Sequence, residues 1–125
     1  PERAHYLEDL IEALGAHSVE YQGVDKCCGF PILTMNRENS LRMTGTHLLD
    51  AKTQGADLMV TPCPLCHLNL DGGQADAAGV VKANLELPVL HLPQLVGLAF
   101  GIPASSLGLG KNIVSTNRVL QKAGR

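Results

Sequence analysis

The sequence predicts an α/β domain with a small parallel, or mostly parallel, sheet flanked by helices and a cysteine site at the carboxyl edge of the strands. Two observations predict it. Short β-branched apolar runs alternate with helix-periodic segments, the order that βαβ crossovers produce. Both clusters of cysteines, Cys27-Cys28 and Cys63-Pro64-Leu65-Cys66, come after the ends of such runs, where open parallel sheets build their sites.

Leu7, Leu10, Ile11 and Leu14 recur at i, i+3, i+4 and i+7, which predicts an amphipathic helix ended by Gly15. His17-Ser18-Val19-Glu20-Tyr21 alternates in polarity and predicts a first strand. Gln22 to Asp25 then turn the chain into Cys27-Cys28-Gly29. Beyond Phe30-Pro31, Asn39 or Ser40 is read as the cap of a second helix whose apolar side carries Leu41, Leu48 and Ala51 and which Gly55 closes. Within residues 56–61, Leu58-Met59-Val60 suits a strand buried on both faces. Pro64 fits the first position of a helix, which would put Cys66, His67 and Leu68 in its first turn, and Gly72-Gly73 weakens that helix. Gln74 to Leu87 carries no clear period. Pro88-Val89-Leu90-His91-Leu92 reads as a third strand, followed by an apolar helix from Pro93 to Phe100 that Gly101-Ile102-Pro103 stops. Pro103 to Leu107 and Thr116 to Lys122 are read as short helices on the outside.

A chain of 125 residues is one domain's worth, here residues 1–125, and domains of roughly this size bury about two thirds of their unfolded surface, so folding does not require a metal. With a formal net charge of −2 and no basic stripe, nucleic acid is not an expected partner. No apolar run approaches the roughly 20 residues of a membrane span, and a cytoplasmic location is the default expectation. Two Phe, two Tyr and no Trp leave little for base stacking or aromatic cages. Pro1-Glu2-Arg3 is read as a processed start or the edge of a longer chain.

Thiolates gathered in pairs are soft ligands for zinc, copper(I) or iron–sulfur centres. Cysteines at i and i+3 on a helix start can face one centre, with free N–H groups aimed at their sulfurs. Neighbouring side chains in extended backbone point opposite ways, so adjacent Cys27 and Cys28 suit a centre of several metal atoms better than a single ion. Gly29 permits positive φ and close backbone approach. Other chemistries use similar patterns: disulfides, a structural four-cysteine zinc site, a redox dithiol at Cys63-Cys66, and haem attachment at Cys63-Pro64-Leu65-Cys66-His67. His5, His17, His47 and His67 are read as surface or supporting residues, whereas His91 lies nearer the site.

The array of Cys27-Cys28-Gly29, thirty-four intervening residues and Cys63-Pro64-Leu65-Cys66 resembles the cysteine-rich CCG domain family. Its continuation through His67-Leu68-Asn69-Leu70-Asp71, with Pro88 to Gly101, is similar to the B subunit of heterodisulfide reductase and its relatives. The resemblance implies a noncubane 4Fe-4S cluster held by Cys27, Cys28, Cys63 and Cys66 beside Gly29. It also implies a fifth cysteine about thirty to forty residues upstream, a position before Pro1. Related motifs hold structural zinc, and this fragment alone would carry zinc or no metal if the iron cluster fails to assemble.

Family members carry two such motifs in tandem, so the chain is expected to be the C-terminal CCG half of a longer subunit. The implied function is electron transfer coupled to reduction of a disulfide or thiol substrate, in an oxidoreductase complex with iron–sulfur and flavin subunits. Its location would be cytoplasmic or peripheral to the inner membrane. The isolated fragment would be inactive, with no catalytic residue apart from the cluster. The alternative is a structural zinc or docking module, like an anchor subunit of succinate dehydrogenase or fumarate reductase.

Overall fold

The computed structural model describes residues 5–125, so the expectation about Pro1-Glu2-Arg3 lies outside the described residues. Helix α1 covers Tyr6–Ala13 and ends where Gly15 takes φ +90°. The chain then runs to the cysteine loop, a 3-10 turn at Phe30–Ile32, α2 (Arg37–Thr53), β1 (Met59–Thr61) and α3 (Pro64–Gly72). There follow α4 (Gln74–Val81), β2 (Val89–His91), α5 (Leu92–Ala99), a 3-10 turn at Leu109–Lys111 and α6 (Asn117–Lys122).

The fold is α/β, with β1 and β2 parallel in the register Met59↔Val89, Val60↔Leu90 and Thr61↔His91. Side chains alternate across a strand with period two, and the core divides accordingly. Met59 and Val89 join Leu41, Leu48, Leu70 and Ala77 from α2, α3 and α4. Leu90 joins Leu95, Leu98 and Leu109, with Val60, Leu58 and Ile11 packed alongside. Helices thus cover both faces of the strand pair, and Gly72-Gly73 marks the break between α3 and α4.

Three sequence expectations need correction. His17 to Tyr21 form no strand. Side chains take the backbone donors instead: Ser18 N–H donates to Glu12 Oε1 at 2.8 Å and, just beyond the segment, Gln22 N–H to Asp50 Oδ2 at 2.7 Å. Helix α2 is capped by Asn36, whose side chain accepts from Asn39 N–H at 3.1 Å. The true cap lies three or four residues before the expected one, so Asn39 and Ser40 fall inside the helix. Pro103 to Leu107 form successive turns rather than a helix, closed by bonds such as Ser106 N–H to Pro103 C=O at 2.9 Å.

Candidate metal centre

Both cysteine clusters sit on loops that leave extended backbone and enter a helical turn. Cys63 is the N-cap of α3, with Pro64 at the first helical position, where its fixed φ suits the helix and its absent N–H is not needed. The next amides are free for the Cys63 sulfur. The N–H of Cys66 and then the Cys66 side chain, with Leu65 N–H adding, hold the Cys63 thiol below its ordinary range. His67 N–H does not join them; it donates to Cys63 C=O at 3.0 Å as the first helical bond.

Cys66 has the opposite character. Burial, and then the neighbouring sulfurs of Cys28 and Cys63 through hydrogen bonds and charge, push its thiol up to about 12. Cys28, Cys63 and Cys66 line one cavity, and Cys28 is buried. Cys27 is exposed, its sulfur accepting Gly29 N–H at 3.5 Å. Adjacent cysteines therefore do part company, as alternation in extended backbone requires. All four are free thiols. Among the described residues, no three His, Cys, Asp or Glu side chains are already arranged as an ion's ligands; three of the cysteines line one cavity, and the fourth, Cys27, is next to Cys28 in the chain.

The loop is held by one face of α2. Ser40 Oγ donates to Gly29 C=O at 2.7 Å, Thr44 Oγ1 to Cys28 C=O at 2.8 Å, and His47 Nε2 meets Cys27 C=O at 2.8 Å. These residues are spaced i, i+4 and i+7, one helix face, so three successive carbonyls are bound by three successive rungs. Asn69 of α3 closes the lattice, donating through Nδ2 to Cys28 C=O at 3.1 Å and to Thr44 Oγ1 at 2.9 Å. It ties the two cysteine-bearing segments together.

Gly29 has φ +100°, and a Cβ there would lie 2.6 Å from Ser40 C=O. His67 and His91 stack edge to face with centroids 5.9 Å apart, and His91 Nε2 lies 3.2 Å from Pro62 C=O, beside Cys63. Burial lowers the His67 pKa in spite of Asp71, whose Oδ2 is 3.7 Å away. Asp71 itself is buried and accepts Ile113 N–H at 2.8 Å and Val114 N–H at 2.9 Å, one on each oxygen.

Sequence reading marked Cys27, Cys28, Gly29, Cys63 and Cys66; Cys27, Cys28 and Gly29 lie on one loop, Cys63 caps α3 and Cys66 is in its first turn. It read Ser40 as a possible cap and His47 as a surface or supporting residue, quoted Asn69 and Asp71 only within the family stretch, and gave Thr44 no role. Polar residues at 40, 44 and 47, along a helix whose core contacts are Leu41, Leu48 and Ala51, were the available signal. The donor set suits a thiophilic metal: three cysteines lining one cavity and a fourth beside Cys28 in sequence.

A cysteine-rich domain family, CCG, matches residues 1–71. The chain is 41% identical over 113 residues to the 8-methylmenaquinol:fumarate reductase membrane anchor subunit of Wolinella succinogenes, covering 90% of this chain and 40% of that protein. It is 37% identical over 120 residues to the B subunit of the ferredoxin:CoB-CoM heterodisulfide reductase of Methanosarcina mazei, covering 94% and 40%. It is 36% identical over 97 residues to a protein of Archaeoglobus profundus that is named as like the B subunit of heterodisulfide reductase, covering 76% and 32%. The chain thus spans well under half the length of the curated relatives it matches.

Proposed function

Since the chain belongs to the cysteine-rich CCG domain family, we propose that it is the C-terminal CCG half of a longer oxidoreductase subunit, and that Cys27, Cys28, Cys63 and Cys66 hold an iron–sulfur centre. The observation that carries this is the meeting of Cys28, Cys63 and Cys66 at the start of α3, on a loop fixed through all three of its carbonyls. A noncubane 4Fe-4S cluster, completed by a further ligand from the rest of the subunit, accounts for two adjacent cysteines in one centre. When bound, such a cluster supplies one-electron chemistry toward a disulfide or thiol substrate.

The chain's own contributions are ligands, N–H groups toward Cys63, and the histidine pair beside Pro62. Its partners would be the iron–sulfur and flavin subunits of a reductase complex. Among the described residues no helix is long and apolar enough to cross a membrane, which is compatible with a cytoplasmic or membrane-peripheral complex.

The full subunit purified without oxygen should contain iron and acid-labile sulfide and absorb in the visible. Cys63→Ala should remove both while leaving the far-ultraviolet circular dichroism unchanged. One zinc per chain with no iron overturns the cluster reading. It would favour a second reading, a structural zinc module that docks redox subunits, which rests on three of the four cysteines lining one cavity: a tetrahedral zinc site needs only one more donor.

A further inference from the structure

Cys63 and Cys66 line a cleft of about 510 Å³, together with Thr61 and Pro62 before them. His67 and His91 do not line it; they meet the same turn away from the cleft. The peptide between Pro62 and Cys63 is bound on both sides. Its C=O faces His91 Nε2 at 3.2 Å, and its N–H donates to Thr61 Oγ1 at 3.2 Å. A carbonyl oxygen only accepts, so the proton is on His91 Nε2 and that nitrogen is the donor. The two holders are register partners, Thr61 opposite His91 at the ends of β1 and β2. The next peptide is bound as well, since Cys63 C=O accepts His67 N–H at 3.0 Å. Peptides are planar, so with both of its flanking peptides held, Cys63 keeps only χ1 to aim its sulfur.

The other end of the turn meets the same imidazole. His67 follows Cys66, and its ring packs edge to face on His91 with centroids 5.9 Å apart. His91 in turn is anchored behind the turn. It is the N-cap of α5, and its N–H donates to Gln94 Oε1 at 3.0 Å. Gln94 Nε2 donates to Leu107 C=O and Asn112 Oδ1, both at 3.1 Å, and Asn112 Nδ2 donates to Val89 C=O at 2.9 Å. The support runs from the cysteine turn back into α5, β2 and the tail.

We propose that His91 is a positioning residue for the metal centre: its Nε2–H holds the peptide that carries Cys63 while its ring backs His67, so that the end of β2 aims the Cys63 and Cys66 sulfurs before any metal binds. The inference rests on the reading above that these cysteines are ligands, and on no particular metal. A ligand role for His91 itself is at odds with the geometry, because the residue does not line the cleft and Nε2 is spent on Pro62 C=O. Removing groups that orient ligands typically lowers metal affinity by about ten- to a hundredfold.

Two substitutions separate holding the turn from holding the fold. His91→Gln places an amide donor at about the reach of Nε2, whereas His91→Asn is too short to reach Pro62 but is a good N-cap for α5.

The test is titration with cadmium alone, a thiophilic probe, of the native polypeptide that contains these residues, prepared metal-free without oxygen and read by thiolate-to-metal charge-transfer absorbance. The phase that Cys63→Ala abolishes belongs to this site. Its affinity is expected to fall about tenfold in His91→Asn and to stay within about threefold of the natural protein in His91→Gln. The loss lies at the lower end of the range because water can reach the exposed Pro62 C=O. The denaturant midpoint of metal-free His91→Asn should equal the natural one. Natural affinity in His91→Asn overturns the proposal. So does equal loss in both variants, or a loss that comes with a lowered midpoint, because either makes His91 a residue of the fold alone. If Cys63→Ala abolishes no phase, these cysteines hold no metal, and the proposal falls together with the reading above. The expected order of affinities in a subunit that is purified with zinc and no iron overturns only the cluster and leaves the role of His91 standing.

Discussion

At Gly29 the chain is in left-handed backbone with the carbonyl of Ser40 pressed against it. Gly29→Ala meets two penalties, a strained φ and a Cβ that forces the loop off α2, and should destabilise by about 2–4 kcal/mol in chemical denaturation. Thr44→Val tests the lattice differently, since it keeps the shape but removes the donor to Cys28 C=O and the acceptor of Asn69. We expect a loss of about 1–3 kcal/mol, largely restored in Thr44→Ser, because a buried polar group left unpaired forfeits its hydration. Gly29 was legible in the sequence because a glycine after two cysteines has few other reasons to be there. Ser40, Thr44 and His47 were not, because polar residues on a helix ordinarily mark the wet face. Only the loop they grip turns them into a ladder, buried at Ser40 and Thr44 and partly open to solvent at His47.

At the level of elements, α3 was readable because Pro64 carries a first-position signal soon after a short apolar run. The start of α2 was misread because Asn36, Asn39 and Ser40 are all competent caps, and only the side-chain bond of Asn36 distinguishes them. The expected first strand failed for lack of a partner. Alternation shows that a segment fits a sheet, and pairing is a long-range property that no local pattern contains. Gln74 to Leu87 was opaque for a related reason. Gln74 uses its side-chain amide as a strand would use backbone, donating to Leu87 C=O at 2.5 Å and accepting Leu87 N–H at 3.1 Å. Asp71 makes the corresponding joint between α3 and the tail. Asp71→Asn leaves one of the two amides of Ile113 and Val114 facing an NH₂ group. It should cost about 1–3 kcal/mol and speed hydrogen exchange at those two residues while leaving β1 and β2 protected.

For the whole molecule, the packing around the cleft sets a limit on alkaline stability. Tyr21 packs against the core, and burial, then the charges of Asp50 and Glu8, raise its pKa above the ordinary 10.0. Below that value the phenol is neutral in both folded and unfolded chains. Above it the unfolded chain ionises first and binds fewer protons than the native one, so stability falls as pH rises. Denaturant midpoints measured from about pH 9 to about pH 11 should decline more steeply for the natural protein than for Tyr21→Phe. The hold of α2 on the cysteine loop has a different global effect. Small metal-dependent modules spend much of their ion-binding free energy on ordering a chain that is otherwise unfolded. Here three carbonyls of the loop are fixed by Ser40, Thr44 and His47, so that ordering is complete before any ion arrives. Metal capture and chain folding become separate equilibria, and little of the binding free energy goes into ordering the loop.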